Sequence, residues 1–507
     1  MSSKTVVVVW VAAMALVAGG CTRETRTPDK GPQSNNAQSN NTSTTTPSTG
    51  SGGSSPGSTA PGNAAPKAPG KARLLPLKAD PAARATLVRG LNTLTARLYK
   101  AHGSAEKSVI LSPFSAGAAM ALLALGGDDE LAARIAKGIG MPAGMTGHQA
   151  FAELVARLGA GSRDEGDQKA DALAIANSLW IKRGYPLNGA FTSELAHYYG
   201  ASASTMDVSR PEKARARINA WAAKKTRQKI KEAIPPSMIK PTTRLLLVNA
   251  VYLKARWQDK FDKGLTAPKP FHTAGGATPK VQTMHARCPD ALRYHYNKHA
   301  EVVRLPYRYI GRNVGLEMAL MLPPKGRSIG DFVAALTPDR LAEILDAKHA
   351  VAPPKALIKK TTRVLYGSSI YNAGKRKSEA HTKRPLCVDL ALPRFTTNTF
   401  VGQLGTLLAG VGFKDVFFVP KLTRISPAAA RDKLKATRAV QKAFIMVDEL
   451  GTVAAAVTAV GAAGAGMPSS QRVDLDLRDM RFDRPFAYVI REVKSGLILF
   501  IGHVAKP

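Results

Sequence analysis

Three histidines fall close enough together to raise the question of a metal: His285, His295 and His299. A pair four residues apart binds a cation when a helix turns both rings to one side. Here residues 294–299 read YHYNKH, with aromatics and a lysine interleaved and no carboxylate before Glu301. No metal is expected, and the three read as half-exposed strand or loop residues. Ser112 and Ser115 are candidate nucleophiles, but a strand–proline–helix context suits capping and buried hydrogen bonding better. Three cysteines in the chain rule out a disulfide-stapled scaffold and a multi-cysteine zinc module. Cys288 and Cys387 would be able to pair in an oxidising compartment, and two buried free thiols are the preferred reading. There is no nucleophile elbow, Walker phosphate loop, HExxH or CxxC. No cofactor is expected, and an enzyme is disfavoured.

The informative segment lies near the C-terminus. After an apolar run ending at Val447, residues 448–460 read DELGTVAAAVTAV, followed by GAAGAG to Gly466. From Glu449 to Gly466 there is no proline and, after Glu449, no charge. Composition alone describes a flexible Ala/Gly loop. Alternation adds a second possibility: in a strand, Thr452, Ala454, Ala456, Thr458 and Val460 share one face. All are small enough to slide between two existing strands.

Such a segment needs a sheet to enter, and the chain has the elements for one. Apolar periodicity starts near Leu74 and predicts helices over 81–101, 114–125, 191–199, 211–233, 329–347 and 401–410. Strands are predicted over 108–113, 173–181, 245–254, 302–306, 316–322, 388–395, 439–447, 486–491 and 497–504. Helices come mostly early and strands mostly late, which points to α+β. At 44% apolar residues the chain is not wholly disordered, and no internal apolar run is long enough for a polytopic membrane protein.

The N-terminus reads as an address. Lys4, an apolar stretch over 6–17 and Ala18-Gly-Gly before Cys21 make a secretory signal over 1–20. Small residues directly before a cysteine resemble the lipobox of bacterial lipoproteins, in which that cysteine carries the lipid. Residues 21–73 are Ser, Thr, Asn, Gly, Pro and Ala with almost no large apolar side chain, the composition of a tether. A secreted protein held by lipid to a bacterial cell envelope, or extracellular, is the expectation.

Over 74–507 the chain resembles the serpins. Glu449 to Thr458 is similar to the hinge of that family, 482–486 (FDRPF) to its C-terminal signature, and 496–507 to its last strand pair. Leu111-Ser-Pro-Phe-Ser115, residues 249–257 (NAVYLKARW) and Leu392-Pro-Arg-Phe395 resemble three further blocks. The resemblance implies three β-sheets with eight or nine helices and an exposed reactive-centre loop over about 449–480. It implies a suicide-substrate inhibitor: a serine protease, or a cysteine protease, cuts the loop and forms an acyl-enzyme. The freed loop enters the main sheet and traps the ester, and about a dozen new backbone bonds at ~1 kcal/mol each drive it. It also implies that Glu449 pairs with Arg394 and that Trp257 packs nearby. Ser112, Ser115 and Asn249 should lie under the middle strands. Two positions depart from the family: Gln441 stands where His is usual, and Val453 where Glu is usual.

Counting from Glu449 as in the serpins, the resemblance implies a scissile bond at Ala465–Gly466, which suits elastase-like or subtilisin-like enzymes. Arg472 is the alternative, for a trypsin-like one. A basic insertion over about 351–385 has no counterpart in the resemblance. Lys355, Lys359, Lys360, Arg363, Lys375, Arg376, Lys377, Lys383 and Arg384 face only Glu379 there, in a chain of net charge +36. A polyanion partner is one reading and a solvated basic loop the other. The alternative function is therefore a non-inhibitory serpin, an envelope-anchored polyanion-binding protein. A monomer is expected.

Overall fold

The computed structural model describes residues 79–507 except 104–105, 160–170, 311–313, 367, 420, 430 and 453–469. Cys21, the signal and tether, Val453, Ala454, Ala456, Thr458, Ala465 and Gly466 lie outside the described residues. In chain order the strands are β1 (Val109–Leu111), β2 (Ala172–Lys182), β3 (Ser202–Met206), β4 (Leu245–Arg256), β5 (Asp262–Pro270) and β6 (Lys280–Arg287). Next come β7 (Arg293–Asn297), β8 (Ala300–Pro306), β9 (Leu316–Leu322), β10 (Lys359–Tyr366), β11 (Leu386–Pro393) and β12 (Phe395–Val401). The last are β13 (Arg438–Asp448), β14 (Gly451–Thr452), β15 (Ser470–Arg481), β16 (Phe486–Glu492) and β17 (Ile498–Val504).

They form three sheets, as expected for the α+β fold. The main sheet has the order β12-β13-β14-β4-β2-β3, a second sheet β10-β15-β11-β6-β5, and a C-terminal sheet β1-β17-β16-β9-β8-β7. β4 and β17 are near-continuous apolar runs because both faces are covered. The helix Pro113–Gly126 is buried along its whole length, packed against β17, β2 and β4.

Several predicted elements are re-cut by local chemistry. The helix predicted over 211–233 stops at Lys225. Thr226 Oγ1 donates to Ala222 O and accepts from Ile230 N, and Arg227 and Gln228 then take positive φ. The helix predicted over 329–347 is two, Ile329–Ala334 and Pro338–Leu345, because Thr337 caps the second and Pro338 opens it. Residues 395–401 continue as β12, and the helix there begins only at Leu404. Helical segments outnumber the eight or nine expected, short ones such as Leu404–Leu408 and Lys414–Phe418 standing separately.

The basic insertion is not a loop. It is β10 followed by the helix Ser368–Ala380, and β10 pairs antiparallel with β15 from Lys359 opposite Leu477 to Tyr366 opposite Ser470. The preference for two free thiols is also overturned: Cys288 and Cys387 form a disulfide, with Cα atoms 5.0 Å apart. Their separation of 99 residues hid the pairing; adjacent β6 and β11 bring them together.

Candidate functional site: the hinge in the main sheet

β4 and β13 are the two middle strands. They pair in parallel from Arg438 opposite Leu246 to Phe444 opposite Tyr252. Beyond Phe444 they part, and β14 occupies the gap: Thr452 lies between Val447 and Ala255, antiparallel to both. Thr452 is fully buried, its Oγ1 2.6 Å from the Tyr307 hydroxyl. Gly451 has φ +153°, and a Cβ there would fall 2.1 Å from Ala255 O, so only glycine fits this entry point.

The turn before the gap is held on every side. Asp448 Oδ1 accepts from the Leu450 and Gly451 amides at 2.8 and 3.2 Å. Trp257 donates twice, Nε1 to Asp448 O and backbone N to Leu450 O, both at 2.9 Å. Its ring stacks on Tyr307 with centroids 4.4 Å apart. Phe261 N donates to Glu449 O. Glu449 is buried, and its Oε1 accepts from Arg394 Nε (2.8 Å), Arg394 Nη2 (2.5 Å) and Thr266 Oγ1 (2.6 Å). Burial pushes its carboxyl up, but the bonds from Arg394 and Thr266 outweigh that and hold it below the usual range. Asp448 goes the other way, raised by burial. Arg394 sits at the β11–β12 junction, so one side chain links the second sheet to the hinge.

Below the gap, three amide side chains stand abreast on adjacent strands: Asn177 on β2, Asn249 on β4 and Gln441 on β13. Gln441 Oε1 accepts from Ser112 N at 3.0 Å, and its Nε2 donates to Ser112 O (2.9 Å) and Asn249 Oδ1 (3.0 Å). Asn249 Nδ2 donates to Asn177 Oδ1 at 2.6 Å and to Ser115 Oγ. Ser112 Oγ donates to Leu499 O, and no side-chain cap bond forms on the helix that follows. The capping reading of Ser112 is corrected; that of buried hydrogen bonding describes it. Tyr307, Thr266, Phe261 and Asn177 were not singled out from sequence; only the structure joins them to the hinge.

Other candidates are placed differently. Arg472 is on β15, opposite Val364. The loop is expected to run to about 480, but Ser470–Arg481 is strand, and Arg472 is a strand residue. Arg376 is fully buried, its guanidinium donating to Leu386 O and Pro289 O at 2.9 Å, and burial lowers its pKa to about 10. Arg363 makes a bidentate pair with Asp389. Neither is a free cation, and both leave the polyanion set. Lys355, Lys359, Lys360, Lys375, Lys377 and Lys383 are exposed, and Arg384 reaches Asp474 at 3.8 Å. His295 is buried, its Nε2 2.8 Å from Ile344 O, which corrects the half-exposed reading.

Residues 89–507 match the family model described as Serpin (serine protease inhibitor). An uncharacterized serpin-like protein of Methanosarcina mazei is 29% identical over 403 residues, 79% of this chain and 82% of the relative. Mouse antithrombin-III is 30% identical over 366 residues, 71% of this chain and 67% of its own length. Among solved structures, Arabidopsis AtSerpin1 in its native stressed conformation superposes with a TM-score of 0.66 at 22% identity, over 84% of this chain and 98% of that one.

Proposed function

The chain belongs to the serpin family, and on that premise we propose that it is a suicide-substrate inhibitor of serine proteases with elastase-like or subtilisin-like preference. Gly451 and Thr452 carry this reading, because they already sit as the first two residues of a strand between β4 and β13. The residues after them, Ala454, Ala456 and Thr458, continue an uncharged alternation that the gap accepts without burying an unpaired charge. Cleavage at Ala465–Gly466 frees that strand to advance while the protease is still bound as an acyl-enzyme. The test is incubation with elastase-like, subtilisin-like and trypsin-like enzymes. A complex that survives denaturing electrophoresis is the expected result, and cleavage without any complex would overturn the reading.

A second reading rests on the exposed lysines of the basic insertion, with the chain acting as a polyanion-binding protein. Heparin-agarose retention that falls in a Lys375→Gln/Lys377→Gln/Lys383→Gln variant supports it. For location, the proposal is a lipid anchor at Cys21. Cys21→Ser should release the protein from membranes, since the tether has no apolar segment of its own.

A further inference from the structure

We infer that Lys359–Ala380 is a clamp on the C-terminal anchor of the loop, so that the uncleaved chain cannot fill its own main sheet. The inference rests on the insertion reading above. It follows from register and reach. Each residue beyond Thr452 that enters the gap pairs one residue further back on β4, so filling the sheet to Leu245 takes ten steps and brings Ala462 opposite Leu245. Ten residues of strand span ~33 Å.

The other end of the loop is fixed at Ser470 in the second sheet. That sheet lies at the hinge end, where β11 passes through Arg394 into β12 and Phe395 pairs with Val447. From Ala462 to Ser470 the chain has eight steps, at most about 28 Å when fully extended. With β15 in place an intact loop therefore cannot both reach Leu245 and return. Full insertion requires stripping β15 from its N-terminal end.

Among the described residues, those that would be stripped first pair as strand with β10 and not with β11. β15 pairs with β11 only from Asp476 onward, whereas β10 covers Ser470 to Leu477. β10 is itself pinned by the Arg363–Asp389 pair and by a small apolar cluster of Leu365, Ala373, Cys387 and Leu475. The helix after it is locked by Arg376 donating to Leu386 O, beside the Cys288–Cys387 disulfide. Cutting the loop bypasses this clamp, because the N-terminal piece is then no longer tied to Ser470.

The test uses the full chain with single prolines in β10. Thr361 and Val364 are three residues apart, so their amides face opposite sides of the strand. One of Thr361→Pro and Val364→Pro removes a bond to β15, and the other faces away and is tolerated at an edge. Uncleaved protein is held at mild heat, and the fraction gaining the raised Tm of a loop-nicked standard is followed, with intact mass confirmed. One proline variant should convert at least about tenfold faster than the wild type, with faster hydrogen exchange in Ser470–Leu475, while the other matches the wild type. Arg363→Ala, which leaves the backbone ladder whole, should act in the same direction. Equal conversion rates across all of these chains would overturn the clamp. A nicked standard with no rise in Tm would instead overturn the insertion reading itself, so the two failures are distinct.

Discussion

Thr452 Oγ1 lies 2.6 Å from the hydroxyl of Tyr307, and the Tyr307 ring stacks on Trp257. The first inward side chain of the hinge is thus seated against a rigid aromatic pair with no room for a charge. Thr452→Arg would carry an unpaired cation into this position at a cost of several kcal/mol. Cleavage should persist while the covalent complex with a target protease disappears. An unchanged yield of complex would refute insertion.

Gly451→Ala tests the entry point separately. A methyl 2.1 Å from Ala255 O cannot be accommodated without moving the backbone. The hinge should leave the gap, with faster hydrogen exchange at Gly451–Thr452 and at Ala255, and without loss of the Gln441 network lower in the sheet. Unchanged protection at Ala255 would show that β14 is not held as described.

Gln441→Ala removes the bonds to both backbone groups of Ser112 and to Asn249, and leaves a buried N–H without a partner. The expected loss is about 2–4 kcal/mol, read from denaturant unfolding. Removing this cross-strand tie should also ease separation of β4 from β13, so the variant should insert its loop faster once cleaved.

Stability should fall as the solution is acidified from pH 6.5 toward 4. Burial lowers His148 and His295 each from 6.5 to about 4. The unfolded chain binds protons through that window while the folded rings stay neutral, so their contribution is complete above pH 6.5 and is lost on the way down to 4. The size is at most about 3 kcal/mol for each ring. Glu449 acts in the same sense at the lower end, since its depressed carboxyl contributes fully above 4.5 and loses its hold on Arg394 once protonated. His295→Gln, which keeps a donor for Ile344 O, should flatten the Tm-against-pH curve between 4 and 6.5. A curve parallel to the wild type would exclude His295 as a source.

Of the hinge, the placement of Gly451 and Thr452 between β4 and β13 is what the structure adds, while the alternation of small side chains from Ala454 on falls on residues outside the described ones. Long apolar runs made β4, β9 and β13 legible in the sequence. What stayed hidden depends on partners distant in sequence. β10 reads as a basic stretch, and only its register with β15 makes it a strand. Arg376 reads as a surface cation, and the carbonyls that bury it come from β11 and from Pro289. The Cys288–Cys387 bond joins two strands neither of which announces the other. The tie between Arg394 and Glu449 was named through family resemblance, whereas Thr266, its third member, carries no local signal.

On the proposed inhibitory mechanism, the bond that is cut would decide the target, and the register separates the candidates. Cleavage at Ala465–Gly466 leaves thirteen residues after Thr452, of which ten reach Leu245. A leash of three residues then holds the acyl-enzyme against the far end of the sheet, where strain on its catalytic site is greatest. Cleavage after Arg472 would leave a leash of ten, with slack enough for the protease to hydrolyse its ester and depart. Arg472 is also paired through the strand opposite Val364, so a trypsin-like enzyme would have to strip β15 from β10 before the chain could lie extended in its cleft. Ala465 demands only a shallow acyl-side pocket. An elastase-like or subtilisin-like enzyme should therefore yield complex, and a trypsin-like enzyme slow cleavage with little or none. Mass spectrometry of the C-terminal fragment released on denaturing the complex reads the bond directly. A fragment beginning at Gly466 supports this assignment, and one beginning at Val473 would overturn it and make the target trypsin-like.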